Sequence, residues 1–140
     1  MPFVEITLRP GKSEPYKTAL FDGIYAALRD TFGVPEDDRF MTIHESGSAD
    51  FAFSRTYPGM ERSDDFVLIR LTVSNTRGIA QKRALYRAIV DRLTLDPGVR
   101  ADDVFIALVE VKPENWSFGR GVAQYVEAPP VPPQPQEQDA

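Results

Sequence analysis

Gly33-Val34-Pro35-Glu36-Asp37-Asp38-Arg39-Phe40-Met41-Thr42-Ile43-His44-Glu45 has a second version further along the chain. It is Gly98-Val99-Arg100-Ala101-Asp102-Asp103-Val104-Phe105-Ile106-Ala107-Leu108-Val109-Glu110, a shift of 65 residues without a gap. The same shift lays Thr7 on Thr72, Leu20 on Leu85, Ile24 on Ile89 and Leu28 on Leu93. Matches at strand, helix and turn positions under one shift identify a duplicated β-α-β unit, about residues 2–45 and 66–111.

The duplication fixes a fold class, α/β in the α+β sense. Each unit makes two parallel strands joined by a right-handed crossover helix. Two units give a four-stranded sheet with both helices on one face. In the last strand Val104, Ile106 and Leu108 point one way and Phe105, Ala107, Val109 and Val111 the other, so it is apolar on both sides and reads as buried on both. Two helices cover only one face. The bare face is expected to pack against other subunits.

Within the first unit the local signals agree. Val4, Ile6 and Leu8 alternate with Glu5, Thr7 and Arg9, the period of a strand. Ser13 reads as a helix N-cap with Glu14 and Pro15 in the first turn. Tyr16, Leu20, Ile24 and Leu28, with Ala27 beside them, make one apolar helix face, and Gly33 with Val34-Pro35 ends it. A strand follows over about Phe40 to Glu45. Residues 46–63 form a long connection with turn signals, within which Phe51-Ala52-Phe53 reads as a short strand. Arg55 and Arg62 lie there with no role assigned by the sequence.

Composition excludes several kinds of function. The chain has 140 residues, 42% apolar and 26% charged, enough for one domain, read as residues 2–126. It has no cysteine, which removes disulfides, thiolate metal sites and a cysteine nucleophile together. Its one histidine, His44, makes a histidine metal cluster or a Ser-His pair improbable and reads as structural. No metal site is expected. A net charge of −5 argues against nucleic acid as a partner. No apolar run is long enough for a bilayer and no signal peptide is legible, so no membrane association is expected and a cytoplasmic location follows. Residues 127–140, mostly Pro, Gln and acid, read as an extended, disordered tail.

The most unusual feature in kind is Pro2. Removal of Met1, which a small second residue permits, would leave a free secondary amine on a rigid ring at the mouth of a strand. A free α-amino group titrates at about 7.7–8.0, so a modest change of surroundings makes it a proton donor or acceptor at working pH. Alone, Pro2 is simply the residue after the initiator. Its context says more. A strand opening with Pro directly after Met1, in a tandem β-α-β chain of this size, resembles the tautomerase superfamily. The junction Phe32 to Phe40, the segments Asp102-Asp103-Val104 and Ala107-Leu108-Val109-Glu110, and the run Trp116-Ser117-Phe118-Gly119-Arg120-Gly121 resemble its malonate semialdehyde decarboxylase branch.

That resemblance spans about residues 2–126 and implies a homotrimer of tandem β-α-β subunits. It implies that Pro2 is the catalytic amine and that no cofactor is needed. By similarity Asp38 assists Pro2 or orients a water, and Arg77 grips the carboxylate of a small oxo acid and helps polarise its carbonyl. Trp116, Phe118 and Tyr125 match the apolar wall of the pocket. One position departs: the decarboxylase pattern has a second arginine two residues before Arg77, where this chain has Asn75. Asparagine can hydrogen-bond a carboxylate but brings no charge, and charge-assisted bonds are roughly twice as strong as neutral ones.

Bland readings stand beside these. Asp38 has the repeat partner Asp103, so the Asp-Asp step serves turn geometry in part. Arg77 falls on Lys12 under the shift, so a solvated strand-end cation is its bland reading, with the functional role preferred and Lys12 the weaker candidate. Trp116 and Phe118 read as core or interface packing, and Arg120 as half of an ion pair. Several chemistries fit the residues. A neutral Pro2 is a base for keto-enol tautomerism. A protonated Pro2 polarises the carbonyl of a 3-oxo acid while CO2 leaves, or adds water, and an iminium with an aldehyde is a third route. Decarboxylation of malonate semialdehyde-type acids, with hydratase activity beside it, leads. Tautomerisation of phenylenolpyruvate-like acids and dehalogenation of haloacrylates follow, and a catalytically silent binding trimer is the reading from outside enzymology.

Overall fold

The computed structural model describes residues 1–127, and the rest of the tail read from composition lies outside the described residues. In chain order the elements are β1 (Pro2–Leu8), α1 (Glu14–Phe32), β2 (Phe40–Glu45), β3 (Val67–Ser74), α2 (Ile79–Leu95), β4 (Val104–Val111) and α3 (Gln124–Glu127). Glu127, assigned to the tail by its composition, therefore closes a helix. No helix among the described residues is long and apolar enough to cross a membrane.

The strands run in the order β2-β1-β3-β4. β1 with β2 and β3 with β4 are parallel, while β1 and β3 meet antiparallel at the centre. The register carries the duplication to the residue. Phe3 faces Phe40 and Leu8 faces Glu45 in the first unit. At the same offsets Leu68 faces Phe105 and Val73 faces Glu110 in the second. Across the centre Glu5 pairs with Arg70, its own repeat partner, so a local two-fold axis relates the units there.

Local chemistry explains the element ends. Ser13 is extended (ψ 163) and its Oγ accepts from the Tyr16 N–H at 3.3 Å, capping α1. Gly33 ends that helix at φ 65, in the left-handed region that a side chain would disfavour. Val4, Ile6 and Leu8 of β1 and Val67, Ile69, Leu71 and Val73 of β3 point at the helices and are buried. Leu20, Ile24, Ala27 and Leu28 of α1 and Leu85, Ile89 and Leu93 of α2 meet them. A Cβ at Gly23 would come within 2.9 Å of Leu93 Cδ2, so this glycine sets how closely the two helices approach.

The opposite face of the sheet is bare in the single chain. Phe40, Phe105 and Val109 are 52%, 42% and 36% exposed there. β4 is thus covered only on its helix side, where Val104, Ile106 and Leu108 pack against the core.

One local expectation fails. Phe51-Ala52-Phe53 is not a strand. Its rings, rather than its backbone, make the contacts: Phe53 stacks on Phe66 at 4.3 Å, and Phe51 lies 5.2 Å from Phe53. Arg55 and Arg62 belong to this connection. Arg55 Nη2 donates to Asp64 Oδ1 at 2.6 Å and its guanidinium covers Phe53. Arg62 donates to the carbonyls of Ser54 and Tyr57 and covers Phe66. Both fasten the loop to the start of β3.

Candidate functional site

The start of β1 lies next to Asp38, on the turn between α1 and β2. Met1 is present, so Pro2 N is an amide here and the Met1 ammonium stands in for the amine that Met1 removal would give Pro2. That ammonium is 3.6 Å from Asp38 Oδ2. The turn is held from α1: the Asp37 N–H, at φ 67, donates to Tyr25 Oη at 3.0 Å. Arg39 pairs with Asp22 at 2.6 Å and lies over the Tyr25 ring. Asp38 Oδ1 is buried with no hydrogen-bond partner among the described residues.

Burial dominates the electrostatics of this pair. It lowers the terminal amine below its ordinary 8.0, assisted by Arg77 and opposed by Asp38. It raises the Asp38 carboxyl, against the pull of the amine and of Arg77. Both groups are pushed toward their neutral forms, which shortens the gap across which a proton moves between them.

Arg77, just beyond β3, reaches across to the end of α1. Its Nη2 donates to the Phe32 carbonyl at 2.8 Å, its Nη1 to Thr76 Oγ1 at 3.1 Å, and its Cζ lies 4.9 Å from the centre of the Phe32 ring. The carbonyl end of a helix carries partial negative charge and favours a cation there. Burial lowers the guanidinium's pKa, with Tyr125 and Asp38 opposing, and an arginine so placed stays charged. Asn75 sits two residues earlier and is exposed; its backbone N–H donates to the Val111 carbonyl at 2.9 Å.

The aromatic residues form one wall. Trp116 and Phe118 stack with centroids 5.7 Å apart, and Tyr125 meets Phe118 edge-on at 4.9 Å. Burial raises the Tyr125 phenol, with Asp38 adding to the rise and Arg77 opposing it. The cluster therefore brings together the chain terminus, Asp38, Arg77, Trp116, Phe118 and Tyr125. His44 stays outside it, 3.3 Å from Thr42 on β2. Arg120 is exposed at φ 61 and, among the described residues, is in no ion pair, contrary to expectation. A shallow depression lined by Glu14, Pro15, Thr18, Ala19, Asp22 and Asp96 lies on the outside of α1, away from this chemistry.

Four supporting residues escape sequence reasoning: Tyr25, Phe32, Ser74 and Gln124. Ser74 Oγ accepts from Trp116 Nε1 at 3.0 Å. The Gln124 side chain accepts from the Phe118 N–H at 2.9 Å and donates to the Gly119 carbonyl at 3.0 Å, clipping the aromatic turn. Tyr25, Phe32 and Ser74 act through partners 12, 45 and 42 residues away, whereas Gln124 acts within its own turn, and no spacing rule marks any of these pairings.

The duplication supplies an internal control. The 65-residue shift lays Trp116 on Phe51, Phe118 on Phe53, Arg77 on Lys12 and Met1 on Phe66. In that second version the Phe66 ring stacks on Phe53, and Lys12 Nζ is tied to Asp65 at 2.5 Å. Asp103 is wholly buried and accepts from the Ser63 N–H and hydroxyl. Continuous chain and an aromatic ring stand where the first unit has its terminal amine.

Two family models, each described as tautomerase enzyme, match residues 2–60 and 38–119. The chain belongs to the tautomerase family. It is 41% identical over 127 residues to the probable tautomerase YusQ of Bacillus subtilis (strain 168), covering 91% of this chain and all of that one. The probable tautomerase YrdN of the same organism is 29% identical, over 90% of this chain and 97% of that one. Among solved structures, a malonate semialdehyde decarboxylase is 32% identical with TM-score 0.83, covering 88% of this chain and 95% of that one. The FG41 malonate semialdehyde decarboxylase inhibited by 3-bromopropiolate is 33% identical with TM-score 0.82, over 89% and 94% of the two chains. Fused 4-OT structures, at about one-fifth identity, share the fold.

Proposed function

We propose that the chain, once Met1 is removed, uses the Pro2 amine as an acid or base on a small oxo acid, without a cofactor, and that decarboxylation of a malonate semialdehyde-type acid is its main reaction. The observation that carries this is the convergence of the terminal amine, Asp38 and Arg77 beside the Trp116–Phe118 wall. Arg77 would hold the substrate carboxylate, while a protonated Pro2 hydrogen-bonds the 3-oxo oxygen. Loss of CO2 leaves the electron pair on the α-carbon as an enolate, which that hydrogen bond stabilises, and proton return to carbon gives the aldehyde. Asp38 opposes the amine's loss of its proton, against the larger effect of burial, or orients water for hydration. The likeness to two malonate semialdehyde decarboxylases supports this reading, one of them described for decarboxylase and hydratase activities. A trimer in which the bare sheet face is buried belongs to the same proposal.

Keto-enol tautomerism of a phenylenolpyruvate-like acid is the second reading, and Asn75 favours it. With one cation instead of two, the site holds a carboxylate less firmly, and burial drives the amine toward the neutral base that enolisation needs. A proton NMR time course of Met1-free protein with malonate semialdehyde, beside Pro2→Ala, separates the readings. Acetaldehyde formed only with Pro2 present is the expected result. Its absence, together with turnover of phenylenolpyruvate, would replace the first reading by the second.

A further inference from the structure

Ser74 is 6% exposed, and with Asp103 it makes up the buried polar residues among those described. A buried polar group is kept when it has a partner. The partner of Ser74 is the indole N–H of Trp116, at 3.0 Å. Ser74 lies on the last position of β3, so the hydrogen bond ties the segment after β4 back to the end of the strand that also leads to Asn75 and Arg77. Trp116 stacks on Phe118, and Phe118 meets Tyr125. Gln124 locks the turn between them from within, but it makes no link to the sheet.

The repeat gives independent support. The position 65 residues before Ser74 is Arg9, whose guanidinium covers Phe53, the counterpart of Phe118, at 5.6 Å. The same strand-end position thus supports the aromatic pair in both units, by a cation over a ring in one and by a hydroxyl to an indole in the other.

We propose that Ser74 is a positioning residue for substrate specificity: its hydroxyl fixes the indole of Trp116, and through it the flat apolar wall against which the substrate carbon chain lies. This rests on the reading of that wall as substrate-facing. Ser74 touches neither the terminal amine nor Asp38, so its loss changes binding rather than the proton transfer.

The test is a double-mutant cycle of Ser74→Ala and Trp116→Phe, with Ser74→Thr as the conservative variant, on Met1-free full-length protein. A hydrogen bond of this kind corresponds to roughly three- to tenfold in an equilibrium constant. Ser74→Ala should raise KM by about that factor with kcat nearly unchanged, and Ser74→Thr should restore it. In a Trp116→Phe background, Ser74→Ala should have no further effect. An equal rise in KM without the indole, or no rise with it, would overturn the proposal. Trp116 is the sole tryptophan, so its emission reports on the bond without any substrate. Ser74→Ala should shift that emission, and an unchanged spectrum would also overturn the proposal. If the parent protein turns over no oxo acid, the catalytic reading fails and the emission still decides the role of Ser74.

Discussion

Asp38 and Asp103 hold the same place in the two repeats and do different work: Asp38 Oδ2 stands 3.6 Å from the terminal amine, whereas Asp103 Oδ1 accepts from the Ser63 N–H at 2.7 Å. One carboxylate faces a titratable group and keeps an unpartnered oxygen. The other is saturated by its own chain. The two turns hold the same Asp-Asp step in different backbones, with Asp37 at φ 67 in the first and a short 3-10 turn over Ala101–Asp103 in the second, and only the first lies beside the chain terminus.

Replacing the two should therefore separate activity from stability. Asp38→Asn should lower kcat/KM by roughly a hundredfold or more, the scale of a general acid–base group. It should leave stability unchanged or slightly higher. The sign follows from the raised carboxyl: its charged form is disfavoured in the folded state, a cost present above the folded pKa and absent below the unfolded one near 3.8. Asp103→Ala strands the Ser63 donors and should cost about 2–3 kcal/mol. Denaturant unfolding and steady-state kinetics of both variants check the division, and equal stability losses would contradict it.

The terminal amine should titrate below 8.0, because burial outweighs the attraction of Asp38. Pro2 is itself buried, so transfer of the amine to it keeps the direction. Folding then favours the neutral amine: the cost of protonation is full below the folded pKa and vanishes as pH rises past 8.0. If the amine is a base, kcat/KM rises through that window; if it is an acid, kcat/KM falls there. A pH–rate profile beside an NMR titration of 15N-labelled Pro2 reads both, and a midpoint no lower than that of the same amine in the unfolded chain would refute the role given to burial.

Asn75 offers the sharpest substrate test. It is exposed and two residues from Arg77, so Asn75→Arg can add a second cation without disturbing the core. A charge-assisted bond to a carboxylate should lower KM for malonate semialdehyde by about tenfold. Phenylenolpyruvate turnover should gain less. Arg77→Lys should have the opposite effect and raise KM for both, since an ammonium lacks the planar fork by which separate guanidinium nitrogens can serve the Phe32 carbonyl and a carboxylate. Competition assays with the two acids measure the split.

The fold was legible because a 65-residue duplication survives in strand register, helix face and turn together, and the structure pairs Phe3 with Phe40 and Leu68 with Phe105 as the shift requires. The N-cap at Ser13 and the end at Gly33 were equally local. Phe51-Ala52-Phe53 misled because aromatic alternation marks any surface that two rings cover; there the rings pack on Phe66 while the backbone finds no strand partner. Site residues became legible only through family likeness. Nothing in composition or period ties Arg77 to Phe32, or Ser74 to Trp116, since those contacts span 45 and 42 residues.

The bare sheet face yields the last prediction. Phe40 and Phe105 are apolar and exposed on the two outer strands, β2 and β4, at positions that the 65-residue shift superimposes. Burying an aromatic side chain stabilises by roughly 2–3 kcal/mol, and a carboxylate in its place must be desolvated without a partner. Phe105→Glu should therefore dissociate the assembly while leaving the single chain folded, because the side chain is exposed and meets the Phe66 ring edge-on at 6.1 Å. Sedimentation should show a trimer for the parent protein and a monomer for the variant, with matching circular dichroism. A parent that sediments as a monomer would remove the trimer from the proposal and leave the cluster at the chain terminus, all of whose described residues lie within one chain, to be judged by its kinetics alone.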